Sequence, residues 1–169
     1  MNRQEIVQAL KQLGKKLEVD VEITVAGGAA LLMAFDLDRG TVDVDAVEAI
    51  PGLDESFRRA VREVADELEL APTWLNDSVK GYREVLASGY RERRRHLGDF
   101  NRLQVYALGR RDLILLKLFA MRAQDIEDLR SLEPTENEIE FVRENLERLS
   151  RVRPDRALAM ELYLEQGEG

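Results

Sequence analysis

The sequence predicts an α/β fold in the broad α+β sense: a small mixed sheet with flanking helices, followed by a helical C-terminal region. Three observations carry this. Val21, Ile23 and Val25 alternate with Glu22 and Thr24, the period of two expected of a half-buried strand. Tyr90–Leu97 and Leu103–Leu108 flank Gly98-Asp99-Phe100-Asn101, the best hairpin candidate in the chain. Beyond Asp112 apolar residues recur only at helical spacing. Strands dominate the middle and helices the end, so a regular strand–helix alternation is not expected. The division is an α/β core over residues 1–110 and a helical region over 111–169, packed on it as one structural unit.

Each element has its own signal. Ile6, Leu10, Leu13 and Leu17 follow Asn2, a good N-cap, and predict a first helix over Arg3–Leu17. The strand over Val21–Val25 runs into Gly27-Gly28, and Ala29–Phe35 makes a short helix that ends at Asp38-Arg39-Gly40. Thr41–Val47 is the second strand, closed by Ile50-Pro51-Gly52. Phe57, Val61, Val64 and Leu68 mark a helix over Leu53–Glu69. Pro72 restricts Ala71, so the stretch before Trp74 is extended or turn-like, and Lys80–Leu86 continues as a short helix. Asp112 caps an apolar helix, Leu113–Met121, and Asp125–Leu132 is helical. Thr135 and Glu138 form a capping box for Glu136–Leu149, and Pro154 separates it from Asp155–Glu165.

Composition excludes several classes. The 169 residues contain no Cys, so there is no disulfide framework and no thiolate metal site. His96 is the only histidine, which excludes multi-His metal sites and histidine-based nucleophilic chemistry. No apolar run approaches the roughly 20 residues that span a bilayer, and Met1–Glu5 enters an amphipathic pattern rather than a signal peptide. No membrane association is expected, and the cytoplasm is the default location. The net charge of −8 argues against gripping a long nucleic acid by its phosphates. A local cationic stretch nevertheless runs through Arg91, Arg93, Arg94, Arg95 and His96. It is either a solvated strand face balanced by acidic helices or a groove for a triphosphate or an RNA end.

The chemistry-bearing pattern is Val25-Ala26-Gly27-Gly28-Ala29 followed by Asp43-Val44-Asp45. Residues i and i+2 of a strand point to one face, so Asp43 and Asp45 project side by side. Two such carboxylates repel unless a cation lies between them, and hard oxygen ligands suit Mg²⁺. Gly27 and Gly28 lack a Cβ, which lets the backbone approach a phosphate and present its N–H groups at a helix start. A phosphate cradle beside a carboxylate pair is the apparatus of nucleotidyl or phosphoryl transfer. The bland alternatives are an ordinary turn and a polar edge strand. Trp74 is the lone tryptophan, expected to pack over the core, with base stacking as the alternative.

The blocks Gly27-Gly28-Ala29-Ala30, Arg39–Asp45, Trp74-Leu75-Asn76-Asp77 and Lys117–Asp128 together resemble the nucleotidyltransferase superfamily related to polymerase beta. Within it the chain is most similar to a bacterial nucleotidyltransferase-like family related to abortive-infection toxins of toxin–antitoxin pairs. The resemblance implies a sheet of the nucleotidyltransferase type, Mg²⁺ as cofactor held by Asp43 and Asp45, and a nucleoside triphosphate as substrate. It implies an RNA or protein acceptor and a cognate antitoxin. It also implies a catalytic Lys117 ahead of Asp125 and Asp128, because related toxins carry a Lys in this helix before Asp-x-x-Asp.

Each of these residues has a competing structural reading. Lys117 interrupts an apolar run, so it either lies on the exposed stripe or reaches a polar cleft. Asp125 and Asp128 share a helical face and either line a site, orienting Lys117 or Arg122, or stabilise a helix start. Arg39 is a fork for a triphosphate or a partner of Asp36 or Asp38, and Thr41 flanks the same strand. A third carboxylate is common in the superfamily, yet Leu103–Leu108 holds no acid. Asp77 is the nearest candidate, with helix capping beside Ser78 as its alternative. Three classes follow: a Mg²⁺-dependent nucleotidyltransferase acting on RNA or protein, a catalytically weak nucleotide-binding or protein-partner relative, and a small-molecule nucleotidyltransferase of the antibiotic-modifying kind.

Overall fold

The structure is a computed structural model and describes residues 1–37 and 40–166. Its contacts divide the chain into two compact units, one of Met1–Arg83 with Arg91–Leu108, the other of Glu84–Tyr90 with the chain from Gly109 onward.

The first unit opens with α1 (Arg3–Lys16), started by a capping box between Asn2 and Glu5. β1 (Val21–Ala26) leads directly into α2 (Gly27–Phe35), then β2 (Val44–Ile50), α3 (Glu55–Leu68), the two-residue β3 (Leu75–Asn76), β4 (Arg95–Phe100) and β5 (Leu103–Ala107). The strands form one mixed sheet in the order β3-β2-β1-β5-β4. β1 runs antiparallel to β2 and parallel to β5; β3 is parallel to β2 and β4 antiparallel to β5. This is the α/β class expected. Ile23, Val105, Leu103 and Ala107 are fully buried on one face, which α1 and α2 cover with Leu10, Leu13 and Leu31. α3 packs along α1, with Lys16 bridging to Glu67 at 2.6 Å.

Several boundaries differ from the sequence reading; Asp112, expected to cap the fourth helix, lies inside its first turn, because that helix starts at Arg110 behind Gly109. β2 begins at Val44 rather than Thr41, because Thr41 is tied elsewhere: its N–H donates to the Met1 carbonyl at 3.0 Å and its carbonyl accepts from the Met1 ammonium. The β4–β5 hairpin turns at Asn101-Arg102, two residues, and not across Gly98–Asn101. Asn101 takes the positive φ of 56° that a tight hairpin needs, while Gly98 lies inside β4 where the register shifts.

The pairing of β1 with β2 carries a bulge. Thr24 faces Glu48, Val25 faces Ala46 and Ala26 faces Asp45, so Val47 has no opposite residue. Thr24 and Ala26 share a face, and therefore so do Glu48 and Asp45, although they are three residues apart. Without the bulge they would point to opposite faces.

The second unit is helical: α4 (Arg110–Ala120), α5 (Ala123–Leu132), α6 (Glu136–Val152) and α7 (Pro154–Gln166). The Thr135–Glu138 capping box starts α6, and Arg110 donates to Glu138 at 2.8 Å and to the Leu132 carbonyl. One guanidinium thus ties α4 to the end of α5 and the start of α6. Segment 84–90 joins this unit through Arg148, which donates to the carbonyls of Glu84 at 3.0 Å and Val85 at 2.6 Å. No helix among the described residues is long and apolar enough to cross a membrane.

Gly14 tests the packing of α1. A Cβ there would lie 1.7 Å from the Phe100 carbonyl oxygen, a backbone atom that cannot rotate away. Gly14→Ala is expected to cost about 3 kcal/mol or more in denaturant unfolding. Gly81→Ala, with nothing within 4 Å, should change stability by no more than about 1 kcal/mol. Equal effects of the two would refute this account of α1.

Candidate active site

The site is built around the junction of β1 and α2. Gly27 has a φ of +61°, which L side chains adopt at a cost, and a Cβ there would lie 3.0 Å from Asp45 Oδ2. Backbone conformation and carboxylate contact both call for glycine. The outcome is that the first peptide units of α2 stand against Asp45. The N-cap Ala26 offers no side-chain acceptor, so the leading N–H groups of α2 end in a positive helix terminus without a side-chain cap.

Asp43 immediately precedes β2 and is held by its own neighbourhood. Thr41 Oγ1 donates to the Asp43 carbonyl at 3.0 Å, which shapes the entry to the strand. The Asp43 carboxylate accepts from Asn76 Nδ2 at 3.2 Å, and the Asp45 carboxylate accepts from Ser78 Oγ at 3.2 Å. Both carboxylates therefore face the same short segment and are half-buried. That segment is well anchored. Trp74 is completely buried, its Nε1 donates to the Val61 carbonyl of α3 at 3.1 Å, and its carbonyl accepts from Val44 at 2.6 Å. Asp77 turns away to Arg58 at 3.3 Å and Lys80 at 3.1 Å. Burial alone would raise its carboxyl, but the hydrogen bonds and charges of Lys80 and Arg58 hold it below the usual range.

Asn76 and Ser78 are the residues the sequence reading missed. It singled out the acid of the Trp-Leu-Asn-Asp block, whereas Asn76 in β3 and Ser78 in the turn that follows are the ones that meet the carboxylates. Arg39 lies outside the described residues. Among the described residues no group of three or more His, Cys, Asp or Glu side chains is placed to hold a metal ion. Asp43 and Asp45 thus form a pair that no third such side chain joins among the described residues.

The same sheet face continues from Asp45 to Glu48, whose side chain is 2 % exposed and bound by Arg91 and Arg83. Arg94 bonds Glu22 at 2.6 Å and Thr24 at 2.9 Å and lies 4.3 Å from the Tyr106 ring centre. Arg95 reaches instead to the Ala34 carbonyl at 2.5 Å and stacks over Phe35, and His96 meets Asp99 at 2.9 Å. The cationic stretch is therefore distributed, and Glu22 and Glu48 of the sheet itself balance Arg91 and Arg94.

The second unit brings Lys117, Asp125 and Asp128 together. The Lys117 ammonium lies 3.2 Å from Asp125 and 2.5 Å from Asp128, with all three side chains at most 6 % exposed. Asp125 also accepts the N–H of Arg122 at 3.2 Å, starting α5, and the Arg122 guanidinium at 2.7 Å. It therefore caps a helix and binds Lys117 at once. Burial works to raise the Asp125 carboxyl, yet Arg122 and Lys117 hold it below the ordinary value.

Residues 3–152 match the family described as nucleotidyltransferase of unknown function (DUF6036), a span that includes the carboxylate pair and the buried lysine cluster. No curated protein and no solved structure matches the chain.

Two expectations follow from this geometry. Gly27→Ala should cost about 1–2 kcal/mol from its backbone conformation plus a further term from the Asp45 contact. In an Asp45→Ala background only the first term should remain, and a double-mutant cycle with no coupling would refute the contact. Lys117→Met removes the cation between two buried carboxylates and should destabilise the chain by about 3–5 kcal/mol. With its carboxyl lowered, Asp125 stabilises the fold above its unfolded value of about pH 3.9 and loses that contribution as pH falls further. Acid unfolding followed by circular dichroism should therefore show wild type and Lys117→Met converging below about pH 4.

Proposed function

The chain belongs to this nucleotidyltransferase family, and from that premise we propose that it transfers a nucleoside monophosphate from a nucleoside triphosphate to an RNA or protein hydroxyl in a Mg²⁺-dependent reaction. The observation that supports this most directly is the contact of bare Gly27 with Asp45. It sets the N-terminus of α2 beside Asp45 Oδ2, and a helix N-terminus favours phosphate.

The donor set fits Mg²⁺. Two partly exposed carboxylates supply hard oxygen ligands, and Mg²⁺ in such sites takes its remaining ligands from water and substrate phosphates. Asp43 and Asp45 would hold the ion, which when bound neutralises phosphate charge and orients the triphosphate. The N–H groups of Gly27 and Gly28 would donate to phosphate oxygens along the helix axis. In the overall reaction the acceptor oxygen bonds the α-phosphorus, the bond to pyrophosphate breaks, and the hydroxyl proton leaves to solvent. The toxin resemblance extends the proposal to an RNA acceptor end and a cognate antitoxin. A net charge of −8 favours a short acceptor end over a long duplex.

A second reading is a nucleotide-binding relative without turnover. It is favoured by the two-carboxylate count, since no third acid joins the pair among the described residues.

Thermal unfolding with Mg²⁺ and each of the four nucleoside triphosphates tests both. A triphosphate at 100 times its dissociation constant should stabilise by about 2.7 kcal/mol, and Asp43→Asn with Asp45→Asn should abolish the rise. Label transferred from an α-phosphate-labelled triphosphate to RNA or protein supports the transferase. A rise without transfer supports the second reading, and no rise with any of the four refutes both.

A further inference from the structure

We infer that Asn76 and Ser78 are positioning residues that clamp the Asp43–Asp45 pair in its cation-binding arrangement. The inference rests on the proposed reading of that pair as a metal site. Its basis is one hydrogen-bonded hub. Asn76 Nδ2 donates to Asp43 Oδ2 at 3.2 Å and to the Thr73 carbonyl at 3.3 Å, while Asn76 Oδ1 accepts the Ser78 N–H at 2.9 Å. This last bond closes a turn that aims Ser78 Oγ at Asp45 Oδ1, 3.2 Å away. A single turn therefore grips one oxygen of each carboxylate.

The chemistry of the donors matters. An amide and a hydroxyl orient a carboxylate without cancelling its charge, and Asp43 meets no cation among the described residues. A lysine at either position would compete with the metal for the same oxygens. Other acids of this unit differ from Asp43 in this respect. Glu48, Glu22 and Asp77 are each bound by Arg or Lys. β3 serves the clamp in turn. It is two residues long, lies parallel to β2 with Asn76 opposite Asp45, and is fixed to α3 through Trp74. The whole Trp74–Ser78 stretch thus acquires a division of labour, with Trp74 as anchor, Asn76 and Ser78 as donors, and Asp77 tied to the flank.

The test measures Mn²⁺ binding to the full chain by electron paramagnetic resonance, alongside the melting temperature of the metal-free protein. Wild type should bind Mn²⁺, and Asp43→Asn with Asp45→Asn should not. Asn76→Ala and Ser78→Ala should each weaken binding 10- to 100-fold, the range for lost outer partners of metal-bound carboxylates. Ser78 is exposed and lies outside the strand, so Ser78→Ala should leave the melting temperature unchanged. Ser78→Thr keeps the hydroxyl and should restore most of the affinity. Wild-type affinity in both alanine variants, or a Ser78→Thr no better than Ser78→Ala, overturns the clamp and leaves the metal site standing. A wild type that takes up no Mn²⁺, alone or with triphosphate, overturns the metal reading and the clamp with it.

Discussion

The pairing of β1 with β2 constrains everything else in the first unit. A regular pleat would send Asp45 and Glu48 to opposite faces, one into the apolar layer under α1 and α2. A carboxylate buried there without partners would cost several kcal/mol. The extra residue at Val47 changes the parity of β2 midway, so the acids share the polar face with Thr24 and Tyr106. Ala46 and Val44 then fall on the apolar side, where both are buried. The chain thus keeps a one-sided core while concentrating its charge on the other side of a single sheet. Glycine at position 27 completes the arrangement, because the carboxylate brought round by the bulge occupies the space a side chain would need.

The two units house buried charge differently. In the helical unit Lys117 is enclosed with Asp125 and Asp128, and each carboxylate has a further donor, Arg122 for Asp125 and Gln124 for Asp128 at 3.3 Å. Such a cluster is held by complementarity, and its desolvation is offset only while every member is present. It also bridges the tight connection between α4 and α5, where Met121 takes a φ of 48°. At the sheet, Asp43 stays partly exposed and accepts from a neutral amide. The first arrangement is suited to fixing two helices and the second to receiving a ligand.

Much of this was legible in the sequence. Val21–Val25, the Gly-Gly turn, the N-cap at Asn2, the capping box at Thr135 and the break at Pro154 are local signals, and each element appeared where they placed it. Asp43 and Asp45 both meet the Asn76–Ser78 stretch, although only Asp45 lies in β2. What escaped depended on distant partners. Val47 has nothing in its neighbours to mark a bulge, since the register is set by β1. Thr41 left the strand because of Met1, forty residues away in sequence. Lys117 in an apolar run pointed to an exposed stripe or a cleft. Its enclosure became possible only because two acids on the following helix meet it. Asn76 and Ser78 carry no charge and fit no common motif, so their contact with the acids required the short parallel pairing of β3 with β2.

The burial of Trp74 has a practical consequence. It is the only tryptophan in the chain, it is shielded from water, and it stands two positions before Asn76. Fluorescence excited at the indole band therefore comes from one place, the hinge between α3 and the segment facing the carboxylates. Opening of that segment would wet the indole and shift its emission to longer wavelength. The chain carries a built-in optical reporter that distinguishes loosening at this edge of the sheet from melting of the helical unit, with no label attached.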